Sequence, residues 1–101
     1  MMATNEVARR YDALRASIPC VAPPDLLAMT SGVAALGEEV MAQALLKVRQ
    51  FDQFNEDNNP WGEHDFGAFG IAGERFFFKI DDHGMVDGYR LVLTIMLDYE
   101  Y

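Results

Sequence analysis

Residues 62–81, Gly62-Glu63-His64-Asp65-Phe66-Gly67-Ala68-Phe69-Gly70-Ile71-Ala72-Gly73-Glu74-Arg75-Phe76-Phe77-Phe78-Lys79-Ile80-Asp81, decide the fold. They read as two alternating apolar strands closed by a two-residue turn at Ala72-Gly73, with the glycine free to take a positive φ. A turn of that length fixes the register. It predicts Ile71 opposite Glu74, Phe69 opposite Phe76, Gly67 opposite Phe78, Asp65 opposite Ile80 and His64 opposite Asp81. One face of the hairpin then carries Phe69, Ile71, Phe76, Phe78 and Ile80 and belongs to a core. The other carries His64, Phe66, Ala68, Arg75, Phe77, Lys79 and Asp81 and is mixed in character.

Outward from the hairpin, two segments read as amphipathic helices. Val7, Tyr11, Leu14 and Ile18 recur at helical spacing over residues 5–18, with Thr4 or Asn5 as N-cap and Pro19 as terminator. Met41, Ala44, Leu45, Val48 and Phe51 form the stripe of a central helix, flanked by Glu38 and Glu39 at its start and by Lys47 and Arg49 at its end, as the helix dipole favours. Residues 25–30 are a candidate third strand. Residues 54–61, with three asparagines and Pro60, read as a polar loop anchored by Trp61. The segment 89–101 fits two patterns: Leu91, Leu93, Ile95 and Leu97 alternate, while Val92, Ile95, Met96 and Tyr99 share a helix face. Its length and Asp87 as N-cap favour the helix. The expectation is an α+β domain of residues 1–101, an antiparallel hairpin packed by two or three helices.

A chain of 101 residues buries about two thirds of its unfolded surface without needing a staple. Cys20 is the single cysteine, so no intrachain disulfide is available and a cytoplasmic location is expected. Asp12, Arg15 and Pro19 interrupt any signal-like apolar stretch, and no run is long enough to cross a bilayer. Sixteen acidic against eight basic residues give a net charge of -8, which opposes direct binding to nucleic acid or anionic lipid. Residues 51–74 contain Asp52, Glu56, Asp57, Glu63, Asp65 and Glu74 with no lysine or arginine. Such a field either solubilises the surface or competes with phosphates for a basic partner.

Several parts of the chain together resemble a bacterial family catalogued only as a domain of unknown function. They are Gly62 to Phe69, Gly73-Glu74-Arg75 through Phe77, Lys79-Ile80-Asp81, Leu91 to Leu97 and Glu100-Tyr101. Gly32, Val33, Ala35, Leu36 and Gly37 match a segment preceding the central helix, Arg49, Phe51 and Asp52 a second, and Asn58, Asn59 and Pro60 approximate a loop. The resemblance carries no established activity. It implies an accessory role on plasmids and mobile elements. The family pattern has tryptophan where Phe78 stands, and a tyrosine-rich insertion that is shortened here to residues 82–88.

Two functional readings follow. The first is a small acidic interaction protein that inhibits a nucleic-acid-handling defence complex, anti-CRISPR or anti-restriction, by offering carboxylates to a basic channel. Asp52, Glu56, Asp57, Glu63, Asp65, Asp81 and Asp82 are its expected partner contacts. The second is a metal-binding protein or hydrolase built on His64, Asp81 and His83, since histidines with carboxylates can ligate a divalent ion or act as general base. No serine or cysteine nucleophile stands at a recognisable spacing, and the glycines at 67, 70 and 73 do not open a helix as a phosphate loop must. The expectation is therefore a non-enzymatic protein without cofactor, bound to a protein partner rather than to nucleic acid or membrane.

Overall fold

The computed structural model describes residues 5–55, 59 and 62–101. Thr4, Glu56, Asp57, Asn58, Pro60 and Trp61, all named above, lie outside the described residues. The elements in chain order are α1 (Asn5–Ser17), β1 (Leu26–Met29), α2 (Ser31–Ala34), α3 (Glu38–Arg49), β2 (Phe66–Ile71), β3 (Glu74–Asp82) and β4 (Leu91–Leu97), followed by a 3-10 turn over Asp98–Glu100.

The hairpin pairs as its turn length dictates, from Ile71 opposite Glu74 to Phe66 opposite Lys79. Ala72 and Gly73 both take positive φ, 54° and 83°, which gives the turn the twist of the strands it joins. β3 then pairs antiparallel with β4, and β4 pairs parallel with β1, so that the sheet is four-stranded in the order β1-β4-β3-β2.

The segment expected to form a terminal helix is the strand β4, and this corrects the reading of residues 89–101. Its physical reason is position. β4 lies between β1 and β3, so Leu91, Leu93, Ile95 and Leu97 are buried on the helix side while Met96, at 3% exposure, is covered on the other. A strand with apolar residues on both faces shows a weakened alternation that a helix face can mimic. Asp87 does not cap a helix; its carboxylate accepts from the Tyr89 N–H (3.2 Å) and from His83 (2.8 Å across the pair) within the turn that leads into β4.

α1 and α3 lie over one face of the sheet. Tyr11, Leu14, Ile18, Ala44 and Val48 meet Ile71, Phe76, Phe78, Ile80, Leu93 and Ile95 in a single core cluster. Phe76 and Phe78 are fully buried, each contributing about 2–3 kcal/mol of transfer free energy. Gly67 is required by this packing, because a Cβ there would stand 2.4 Å from the Phe78 ring and 2.7 Å from that of Phe51.

Thr30 caps α2 through its hydroxyl, and Glu100 ties that junction to the end of the chain. The Glu100 carboxylate accepts from the Thr30 hydroxyl (2.5 Å), the Leu97 N–H (2.8 Å) and the Gly32 N–H (3.2 Å). These donors hold its carboxyl below the usual range, the Thr30 bond foremost.

On the opposite face of the sheet stand Phe66 and Ala68 of β2, Arg75, Phe77, Lys79 and Asp81 of β3, and Val92, Thr94 and Met96 of β4. Tyr101 packs edge-on against both Phe66 and Phe77, with ring centroids 5.6 Å apart in each case.

Candidate functional site at the open end of the hairpin

The hairpin ladder continues one pair past β2, where the Ile80 N–H donates to the Asp65 carbonyl (2.8 Å). It stops at His64. That residue takes a φ of 61°, a left-handed conformation more common for histidine than for most side chains. The turn carries His64 out of the strand, and its N–H donates to Asn59 Oδ1 (2.8 Å). The expected His64–Asp81 pair is therefore absent. The imidazole stacks on Phe54 with ring centroids 4.0 Å apart and an interplanar angle of 1°, and its Nδ1 lies 2.9 Å from Asp12 Oδ1. Asp81 stays on the opposite sheet face and pairs with Lys79 Nζ at 3.3 Å. His83 bonds Asp87 in the turn after β3. His64, Asp81 and His83 are thus held in three separate places, and among the described residues no group of three or more His, Cys, Asp or Glu is arranged to hold a metal.

Asp12 has a second partner, Arg15, one turn further along α1. Arg15 is only 4% exposed although it is charged. Its Nη2 pairs with Asp12, its Nη1 donates to the Phe51 carbonyl (2.8 Å), and its guanidinium lies 5.1 Å from the Phe54 ring centroid and 5.8 Å from that of Phe78. Burial lowers the pKa of Arg15, and the Asp12 carboxylate opposes that shift. The Asp12 carboxylate so joins α1 to the strand entrance, and Arg15 ties both to the segment after α3. An open cavity of about 280 Å³ lies over it, lined by Asp12, Arg15, Arg49, Asp52, Phe54 and His64 together with Phe51. Chemically, an imidazole with a carboxylate on Nδ1 is one half of a general-base arrangement.

The sequence reading missed Asp12, Arg15 and Phe54. Its one available signal was Arg15 itself, which falls on the apolar stripe between Tyr11 and Ile18, where a charge must find a buried partner.

Of the acidic residues expected to contact a partner, three gather at this end of the hairpin. Burial raises the Tyr11 phenol pKa first, and the charges of Asp82, Glu63 and Asp65 raise it further, with Arg10 acting against them. Arg10 approaches Asp82 at 3.7 Å, but both side chains are well exposed, and such a pair is worth at most about 1 kcal/mol. Asp52 lies in the cleft beside His64, and Asp81 is on the far face.

The family model described as Protein of unknown function (DUF3768) matches residues 29–89. The chain belongs to this family. The match spans the end of β1, both following helices and the entire hairpin, so Glu63, His64, Asp65, Asp81 and Asp82 fall inside the DUF3768 region, while Asp12 and Arg15 lie before it and β4 lies after it. No curated protein and no solved structure matches the chain.

Proposed function

We propose that this DUF3768-family protein is an acidic interaction module whose hairpin entrance presents carboxylates to a basic surface of a protein partner. The partner proposed is a nucleic-acid-handling defence complex, with the carboxylates occupying a channel that otherwise takes phosphates, and the accessory, mobile-element role belongs to the same proposal. What supports the reading is that Glu63, Asp65 and Asp82 lie near enough to Tyr11 for their charges to raise its pKa beyond the effect of burial, with Arg10, which approaches Asp82 at 3.7 Å, acting against them. Carboxylates at one end of a rigid sheet can replace phosphates in charge-assisted contacts with arginine.

The test is affinity capture from host cells at low salt, followed by the triple reversal Glu63→Lys, Asp65→Lys and Asp82→Lys. Retention of a basic, nucleic-acid-handling complex that is lost with rising salt and with charge reversal supports the reading. Recovery of no such partner at low salt would sink it.

A second reading is favoured by one distance, the 2.9 Å between His64 Nδ1 and Asp12 Oδ1. In it His64 is a general base in a hydrolytic site, with Asp12 rather than Asp81 orienting the ring. Hydrolysis abolished by His64→Ala in a chain that keeps its fold would favour this second reading over the first.

A further inference from the structure

We infer that the cavity on the sheet face away from α1 and α3 binds a small nucleotide of single negative charge, its phosphodiester on Arg75 and its base against Phe66 and Tyr101. The hairpin register builds this cavity. On that face β2 sets Phe66, Ala68 and Gly70 opposite Lys79, Phe77 and Arg75 of β3, and of the three β2 residues only Phe66 has a side chain larger than a methyl group. The strand therefore leaves β3 partly uncovered. An open cavity of about 590 Å³ lies there, lined by Phe66, Ala68, Arg75, Lys79, Asp81 and Tyr101 among others. That volume falls within the range of about 300–1,000 Å³ that holds small molecules.

Arg75 supplies the contact for an anion. Its guanidinium lies 5.5 Å from the Phe77 ring centroid, and among the described residues no carboxylate pairs with it. A guanidinium resting on a ring keeps its N–H edge for an acceptor. Lys79, the other cation of the lining, is already paired with Asp81 at 3.3 Å. With Asp65 the lining holds two positive and two negative side chains, and the whole chain carries -8, so a ligand of several negative charges is opposed. One unpaired cation matches one negative charge.

The rest of the lining suits a base. Tyr101 stands edge-on to Phe66 and Phe77 yet is 74% exposed, which leaves aromatic surface on which a planar ring can stack. Asp81 lies beyond Lys79, toward the open end of the hairpin, and its carboxylate accepts from amino and N–H groups such as a base carries on its edge. Arg75 and Asp81 are separated by about 20 Å along β3, so that even with both side chains reaching inward a base with its sugar and phosphate fits the interval better than a lone ring. The cavity is distinct from the cleft that holds Asp12 and His64, and the inference does not rest on the partner surface proposed above.

The experiment is a titration of the full chain with 3′,5′-cyclic AMP, followed by backbone amide NMR shifts. Saturable shifts centred on residues 65–81 and Tyr101, with a Kd below about 1 mM, are expected. Adenosine, which lacks the charge, AMP, which carries a second one, and a single-stranded oligonucleotide, which carries many, should each bind more weakly. Arg75→Gln and Tyr101→Ala change exposed side chains and should each weaken binding by about tenfold, whereas Arg9→Gln, on the exposed side of α1, should leave it unchanged. Far-UV circular dichroism confirms that each variant is folded. Shifts that fail to saturate by about 5 mM, equal or tighter binding of adenosine, AMP or the oligonucleotide, or undiminished binding by folded Arg75→Gln or Tyr101→Ala would each overturn the inference.

Discussion

Substituting Gly67 with alanine puts the packing of the hairpin on the core to a quantitative test. The added Cβ would lie 2.4 Å from Phe78 Cε2 and 2.7 Å from Cε2 and Cζ of Phe51, whereas carbon atoms in contact prefer about 3.5–4.0 Å. One or both rings must retreat by about 1 Å. Neither is free to do so. Phe78 is fully buried, and Phe51 packs edge-on against Phe78 (5.2 Å) and Phe54 (4.9 Å) while its carbonyl accepts from Arg15. Overpacking of this kind costs about 1–3 kcal/mol, and the rigidity of the rings places it in the upper half of that range. Loss of glycine freedom in the unfolded chain offsets about 0.4–1 kcal/mol. The net expectation is a loss of about 1–2.6 kcal/mol, or a melting temperature lower by about 4–21 °C for a domain of this size. Urea unfolding of Gly67→Ala beside Gly70→Ala measures it. Gly70→Ala should fall within about 0.5 kcal/mol of wild type. Phe51→Leu should cost less in the Gly67→Ala background than alone, because it relieves the same clash. A loss below about 0.5 kcal/mol for Gly67→Ala would refute the claim that the two rings are seated on β2.

Ala72 sits at a φ of 54°, a conformation that costs a residue with a Cβ about 1–2 kcal/mol. Ala72→Asn should therefore raise stability by up to about 1 kcal/mol in thermal unfolding, as Asn-Gly suits this turn. Glu100→Gln should alter the acid limb of stability. Because the folded-state pKa of Glu100 is lowered, its contribution is present above the unfolded value and is lost as pH falls through the folded one. A pH series of unfolding midpoints should show a shallower acid decline in the variant. Tyr11 behaves in the opposite sense. Its raised pKa means that above its ordinary value of 10.0 the unfolded chain ionises first, so stability falls as pH rises until the folded value is passed. In a spectrophotometric titration, Tyr11→Phe should remove a phenol that ionises above its ordinary value. Asp12→Ala should destabilise more than the exposure of Asp12 suggests, by about 1–3 kcal/mol in urea unfolding, because it leaves the buried Arg15 guanidinium without its counter-charge.

The strand pairing of the hairpin was legible because a two-residue turn and a period of two leave one register open, and the core face from Phe69 to Ile80 followed from it. α1 and α3 were legible from their stripes, with Tyr11, Leu14, Ile18, Ala44 and Val48 all buried as the spacing implies. β1 was also foreshadowed, at residues 25–30. What failed was extrapolation past a boundary. The His64–Asp81 pairing extended the ladder beyond a residue whose φ breaks it, and no local pattern foretells that a side chain on α1 will take His64 instead. β4 failed for a different reason: a central strand is apolar on both faces, so the alternation that identifies a half-exposed strand is diluted. Even so, Val92, Thr94 and Ile95 supplied β-branched residues that favour a strand over a helix.

The place of β4 bears on the order in which the protein assembles. β2 and β3 adjoin in the chain and can form their hairpin on the microsecond scale from local contacts. β1 has no such recourse. Its partners in the sheet, Val92 to Ile95 opposite Leu26 to Met29, come from the far end of the chain, and the Arg90 N–H to Pro24 carbonyl bond closes the same long loop. The entropy of closing that loop is spent before any of the β1 contacts repay it. During synthesis the first strand therefore waits, exposed, for the last, and refolding should proceed with the hairpin early and β1 docking late.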